Sequence, residues 1–408
     1  MINKYSISNF KIHKLGYIFN LNGLIILTGT NNSGKSSLTQ SLRLLSKINR
    51  NSFSYTKLPF EQVPELGDFR RTLNKDVSRR ESIKYKLSLK IEDLKFCNVE
   101  LEFDSIYNYK LNFNDMTDAA ILKRIDIYFK NSKDLVKNYE FVMNMDISNP
   151  ITYDLNEIIL NDVKEKRILL QKGILVKGIY PNFIPQTIEE GFKELLVINS
   201  HLGNINESSI KYVPALRNNG NTADILDNFK DSTIFDGKTK LIDAFYIWTN
   251  KILNSEFRLK IEDNRRKIIA LENNIEFDLL QIGFGNSQIL PILITILTAK
   301  KGDLVIIENP EVHLHPKWKT NLVELFYYAV KFGVNILIET QSLEIVNRVR
   351  LFVKNDNTLK DKTSLYFFEN HGLKSSIQKI EIEDTGNLDL WPDDFVDKVT
   401  IEDNFGLL

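Results

Sequence analysis

LIILTGTNNSGKSS, residues Leu24–Ser37, is the stretch on which the fold turns. Its apolar, mostly branched start (Leu24–Leu27) reads as a buried strand; Gly29 breaks it, and a helix is predicted to begin near Lys35. Gly29 to Ser36 fits G-x-x-x-x-G-K-[ST], the phosphate-binding loop. Glycines let the backbone wind until successive N–H groups converge on phosphate oxygens. The helix N-terminus adds partial positive charge. Lys35 is expected on the β- and γ-phosphates and the Ser36 hydroxyl on Mg²⁺, with Asn31, Asn32, Ser33, Gly34 and Ser37 completing the loop. With a strand before, a helix after and Lys-Ser intact, the stretch predicts a nucleoside triphosphate site.

At 408 residues the chain has room for two or three lobes. Lys+Arg and Asp+Glu both total 53, so a surface that binds nucleic acid through overall charge is not expected, although a local basic patch is compatible. The single cysteine, Cys97, excludes an intrachain disulfide and any cysteine-rich metal site, and suits a reducing cytoplasm. The first residues, MINKYSISNFKIHKLG, have no signal-peptide apolar core, and no stretch reaches the roughly 18 apolar residues of a membrane span. A cytoplasmic chain without membrane contact is the expectation.

Around the loop, Tyr5–Phe10 reads as a strand, and the helix after Lys35 is expected to reach about Asn49, with Leu38, Leu42, Leu45 and Ile48 on one face. Ile83–Ile91 alternates as a half-exposed antiparallel strand, and Val99–Phe103 and Tyr107–Phe113 as further strands of that sheet. From 119 to 270 helical periodicity mixes with loops. Leu155–Gln171 and Leu241–Phe257 read as helices and Tyr180–Pro185 as a loop, so this segment is expected to be an inserted, mainly helical lobe. Heptads are not sustained enough for a coiled-coil arm. After Phe277 apolar strands (Leu304–Ile307, Val334–Ile338, Ser364–Phe368) alternate with helices (Ile289–Leu297, Pro316–Lys331, Ser342–Val353). That alternation predicts a parallel sheet covered on both faces. The expected divisions are 1–118 (phosphate loop and antiparallel sheet), 119–270 (the lobe) and 271–408.

Leu304-Val-Ile-Ile-Glu308 ends an apolar strand in a carboxylate, as a strand beside a phosphate loop presents an acid to Mg²⁺. With the Asn309-Pro310-Glu311-Val312-His313-Leu314-His315-Pro316 that follows, it resembles the Walker B and D-loop of ABC-type ATPases of the OLD/RecF-like branch, relatives of the SMC heads. QIGFGNSQILPILI (Gln281–Ile294) looks like that branch's ABC signature. ELGDF (Glu65–Phe69), YVPALR (Tyr212–Arg217) and DLWPDDF (Asp389–Phe395) are similar to segments of a bacterial ATPase family within it. The resemblance implies an α/β P-loop NTPase of ABC/SMC-head type: a mainly parallel sheet flanked by helices, with an antiparallel β subdomain and an inserted helical lobe. It also implies ATP and Mg²⁺, bound between two copies placed head to tail, in a homodimer or larger assembly. Gly283, Gly285, Ser287 and Gln288 would then reach the partner's γ-phosphate, and His315, with His313, would lie in the D-loop near the partner's nucleotide. A spacing of two in a loop does not direct both imidazoles at one metal ion.

Two departures carry most weight. ABC heads have Asp-Glu where this chain has Glu308-Asn309. Glu308 still serves the metal, but the Asn309 amide cannot accept a proton, and a positioned base contributes about 10²–10⁴-fold. Glu311 is the candidate substitute. Gln341 stands where the family has its switch histidine; it hydrogen-bonds but cannot carry charge. Both departures imply slow hydrolysis and a long-lived ATP state.

Arg70, Arg71, Arg79 and Arg80 read first as a solvated face and second as a DNA or partner contact; Arg217 either reaches phosphate or fixes a lobe junction. The stretch from Ser364 onward is shorter than the roughly hundred residues of a nuclease domain, so it is expected to cap the ATPase. The resemblance implies a nucleotide-gated sensor or scaffold in a bacterial anti-phage system with a separate nuclease or toxin as effector. The alternatives are a RecF-like DNA clamp, in which nucleic acid is a partner, and a catalytically dead ATP-binding subunit.

Overall fold

A computed structural model describes residues 1–48, 57–109, 120–144, 152–159, 164–169, 193–217, 222–262, 265–272, 275–278, 284–372 and 374–392. The chain divides into two compact units. One comprises Met1–Asn20, Ser36–Ile210 and Asn370–Ser376, the other Leu21–Lys35, Lys211–Glu369 and Ile377–Leu408.

The first unit is built on an antiparallel sheet. Its strands are β1 (Ile2–Ser8), β2 (Phe19–Asn20), β4 (Lys57–Leu58), β5 (Ile83–Leu89), β6 (Leu94–Ser105), β7 (Ala120–Asn131), β8 (Val136–Asn144), β9 (Thr152–Ile159) and β10 (Lys164–Leu169). The order is β10-β9-β8-β7-β6-β5-β1-β2, with β4 on β7. The alternation at 83–89 is realised: Ile83, Tyr85, Leu87 and Leu89 are buried and the residues between are not. Helix α1 (Lys35–Ser46) buries Leu38, Leu42 and Leu45, and Ser41 Oγ hydrogen-bonds Tyr5 Oη of β1 at 2.7 Å. Short α2 (Phe69–Thr72) starts on an Asp68 cap, and α3 (Lys193–Gly203) anchors Asn131 through Glu194.

Three expectations change here. Leu155–Gln171 is not a helix: its described residues form the β9–β10 hairpin. Polar–apolar segments this short fit period 2 as well as period 3.6, and β-branched Ile158, Ile159 and Ile168 favour the pleated alternative. Segment 119–270 is helical only in its second half, because β7–β10 extend the antiparallel sheet and 211–270 packs with the second unit. Ile106–Tyr109 is a 3₁₀ turn where a strand is expected; 110–113 and the Tyr180–Pro185 loop lie outside the described residues.

The second unit holds the parallel sheet, in the order β11 (Ile210–Val213), β15 (Leu304–Glu308), β16 (Asn335–Glu339), β3 (Leu24–Gly29), β17 (Thr363–His371), β18 (Lys374–Ile380). The pairs β15–β16, β16–β3 and β3–β17 are parallel. Every residue of β3 and β16 is buried, on either side of the pleat, as continuous apolar runs demand. Helices α4 (Thr222–Phe229), α5 (Leu241–Leu253), α6 (Phe284–Leu297), α7 (Pro316–Lys331) and α8 (Leu343–Asn355) share one core with this sheet. A three-stranded meander, β12 (Glu256–Glu262), β13 (Arg265–Glu272) and β14 (Ile275–Asp278), is additional to the expected elements. This is a P-loop α/β fold: parallel strands whose carboxyl ends gather beside a phosphate loop.

Candidate functional site

Parallel pairing brings the site residues together. Glu308 ends β15 in register with Glu339, which ends β16 in register with Leu27 of β3, two residues before Gly29. Crevices at the carboxyl ends of parallel strands are where such folds bind ligands. Glu339 was not among the expected site residues. The signal was there, since NILIE repeats the apolar-run-then-Glu pattern of LVIIE.

The loop's shape follows from its residues. Gly29, Asn32 and Gly34 have φ of +125°, +56° and +104°, the left-handed region that Gly and Asn tolerate. A Cβ on Gly29 would lie 2.0 Å from the Phe368 carbonyl oxygen of neighbouring β17, so no larger residue fits. Asn31 and Asn32 are exposed; Ser33, Gly34 and Lys35 are buried. Lys35 Nζ donates to Gly29 O (2.9 Å), Thr30 O (2.6 Å) and Ser33 Oγ (3.3 Å). Burial lowers its pKa, and the Glu339 carboxylate opposes that. Ser36 and Ser37 follow in the first turn of α1, Ser36 exposed.

Beyond β15 the chain turns at Asn309, whose φ is +43° and whose N–H donates to Glu339 O at 2.8 Å. Glu311 Oε1 accepts from the Gln341 N–H at 3.0 Å, and Gln341 Nε2 donates to Asn31 Oδ1 at 2.7 Å. The candidate substitute base, the residue at the switch position and the loop tip are thus one hydrogen-bonded chain: Glu311, Gln341, Asn31. Exposed His315 caps α7, its Nδ1 accepting from the Lys317 N–H at 3.3 Å; His313 is exposed, with φ +62°.

Gly285, in the first turn of α6, abuts this segment. A Cβ there would lie 2.5 Å from His313 O and 3.2 Å from the Trp318 ring. Gly285→Ala is therefore expected to destabilise the chain by about 1–3 kcal/mol through overpacking. Urea unfolding checks this: the midpoint falls at constant slope, whereas an unchanged midpoint contradicts the contact. Gly283 lies outside the described residues, and Ser287 is placed by its backbone alone, in the first turn of α6. Gln288 follows Ser287 in α6. Its side chain is 1% exposed and grips the Arg217 backbone, accepting from its N–H (3.2 Å) and donating to its carbonyl (2.9 Å), so this amide is engaged inside the chain.

Arg217 is 6% exposed and fixes the end of β15: Nη2 donates to Glu308 O at 2.8 Å and Asn309 O at 2.7 Å. Burial brings its pKa down to about 10, with Glu311 and then Glu308 opposing, so it is charged at neutral pH. These contacts tie Arg217 to the end of β15 within the second unit.

A family model described as "AAA domain, putative AbiEii toxin, Type IV TA system" matches residues 24–347, and one described as "Protein of unknown function (DUF3696)" matches 360–402. No curated protein matches the sequence. Similar solved structures include an SMC head bound to the C-winged helix domain of ScpA (10% identity, 94% of this chain and 98% of that one, TM-score 0.48). The SMC head domain from Thermotoga maritima is another (10% identity, 93% and 99%, TM-score 0.43). A third is an Smc head with an extended coiled coil bound to the C-terminal domain of ScpA derived from Pyrococcus furiosus (8% identity, 93% and 96%, TM-score 0.46). Among the described residues no helix is long and apolar enough to cross a membrane.

Proposed function

The chain belongs to that AAA-domain family, and from this premise we propose that it is an ATPase that holds ATP far longer than it takes to bind it, acting as a nucleotide-gated scaffold. The observation that carries this is the hydrogen-bonded chain from Glu311 through Gln341 to Asn31, beside an Asn309 that cannot take a proton. The backbone of the Gly29–Lys35 loop and the Lys35 ammonium bind the phosphates. Ser36 and Glu308 would hold Mg²⁺, which when bound neutralises charge on the β/γ-phosphate oxygens. Three carboxylates, Glu308, Glu311 and Glu339, against the Lys35 and Arg217 cations leave net negative charge that suits a divalent cation. Gln341 and Asn309 orient the attacking water; neither activates it as a base.

The site is completed by a second copy, whose α6 N-terminus, with Gly285 and Ser287, faces the γ-phosphate head to tail. ATP thereby closes a dimer and hydrolysis opens it. The matched family's description, which names a putative toxin and a Type IV TA system, supports a toxin-linked defence role, and in our reading this chain gates a separate effector there. Turnover of radiolabelled ATP tests the proposal: kcat is expected well below the median of about 10 s⁻¹ for enzymes, yet above that of Lys35→Ala. Turnover near that median, or none above Lys35→Ala, contradicts it. Gln341→Ala is expected to speed ATP release about fivefold to tenfold, the worth of one hydrogen bond of about 1–1.5 kcal/mol, in a fluorescent-nucleotide chase; an unchanged release rate rejects that role.

One observation favours the DNA-clamp alternative. In the first unit Arg70, Lys75 and Arg79 line a recess of about 370 Å³ with Asn74, Ser105 and Asn108, and no carboxylate lines it among the described residues. Duplex binding that requires ATP and falls steeply with salt would support it.

A further inference from the structure

We propose that Arg217 is a positioning residue which, held by Gln288 of α6, sets the conformation of the Glu308–Asn309 peptide and through it the water-orienting edge of the site. The inference rests on the ATPase function proposed above.

Consecutive carbonyls along a strand point in opposite directions. The carbonyls of Glu308 and Asn309 instead converge on one atom, Arg217 Nη2, at 2.8 and 2.7 Å. Asn309 makes this convergence through its φ of +43°, a conformation that costs a non-glycine residue energy unless something holds it. Arg217 is that restraint. Two residues on, Glu311 receives the Gln341 N–H, so the angle at which the chain leaves Asn309 also sets where Glu311 and Gln341 sit.

The arginine is itself located from the other side. Gln288 engages both the N–H and the carbonyl of residue 217, as a neighbouring strand would. A shift of the α6 N-terminus is therefore passed to residue 217, and by a rigid guanidinium to Asn309. The guanidinium is only partly used: Nε and Nη1 are buried and have no hydrogen-bond partner among the described residues, and neither has Glu311 Oε2. Buried polar atoms without partners are costly. The cluster thus has spare donors and a spare acceptor to engage when α6 moves, as it would on meeting a partner's γ-phosphate. This gives α6 a route to the chemistry of its own subunit, separate from the contact it makes in trans.

The test is a double-mutant cycle of Arg217→Met and Gln288→Leu on the full chain, reading kcat and KM with Mg-ATP. Each single substitution is expected to lower kcat about 10–100-fold, the scale of a misplaced catalytic geometry, with KM changed less than about threefold. The double variant should be no slower than the worse single, because both remove one restraint. Arg217→Lys, which can still reach one of the two carbonyls, and Gln288→Glu, which keeps one of its two bonds, should each recover part of kcat. These conservative variants also serve if Arg217→Met does not fold. Losses that multiply, or a raised KM at unchanged kcat, overturn the inference and leave the ATPase function standing. A wild-type chain that turns over no faster than Lys35→Ala overturns both.

Discussion

Lys35→Ala is expected to lower ATP affinity by about two orders of magnitude or more while the chain still folds. In the structure the Lys35 ammonium is held by Gly29 O, Thr30 O and Ser33 Oγ, so it braces the loop as well as supplying its charge. Hydrogen bonds to charged groups contribute about 1.5–3 kcal/mol each, and about 1.4 kcal/mol is tenfold in affinity. Losing two phosphate contacts therefore accounts for at least about 10²-fold. The buried strand before the loop and the α1 contacts after it do not involve the ammonium, so circular dichroism should stay near wild type, while the unfolding midpoint falls with the lost loop bonds. Equilibrium titration with a fluorescent ATP analogue measures the effect. Affinity within about threefold of wild type would remove the loop from the account.

Asn309→Glu has the second large effect, a gain. If hydrolysis is slow because no base stands after Glu308, restoring one should raise kcat by about 10²-fold, within the range a positioned base contributes. The backbone sets a limit on that gain. Asn309 has φ +43°, and a residue without Asn's tolerance of the left-handed region gives up about 1–2 kcal/mol there. The Arg217 bonds to the flanking carbonyls oppose relaxation, so stability falls while turnover rises. Asn309→Asp tolerates the conformation better but reaches less far, and a smaller gain is expected. Glu311→Gln separates the alternatives. If Glu311 already acts as the base, that substitution collapses the residual turnover and Asn309→Glu adds little.

The sheet that carries the site was readable because its strands are apolar throughout. Leu24–Leu27, Leu304–Ile307 and Ile336–Ile338 have no polar face to assign, which only a doubly covered parallel sheet explains. Helix α7 was legible to the residue, since Pro316 marks its first turn and Lys331 precedes Gly333. The antiparallel extension was harder: β9 and β10 are short and mixed, and helical and strand periods fit them equally well. The β12–β14 meander had a signal that was passed over. Asp263-Asn264 and Asn273-Asn274 separate strand-like runs by two residues each, the spacing of tight hairpins.

At the site, the loop motif picked out Gly29–Ser36, and the family resemblance named Glu308, Asn309, Glu311 and Gln341 as candidates. Neither could show that Gln341 bonds Asn31, more than three hundred positions away, or that Gln288 turns inward to Arg217. Those contacts depend on the order of strands in the sheet and on the packing of α6, neither of which is written as a local pattern. Glu339 was missed for the same reason: a glutamate closing a buried strand gains meaning only when β16 is seen to lie between β3 and β15.

On the proposed function, this site retains ATP between two copies of the chain. Sedimentation velocity of the wild-type protein, with Mg-ATP and then with Mg-ADP, tests it most directly when bound nucleotide is quantified in each boundary. The expected result is a monomer with ADP, and with ATP a species of at least twice the mass that retains unhydrolysed nucleotide through the run. A monomer that carries ATP, or a dimer whose bound nucleotide is already ADP at the first scan, rules such retention out.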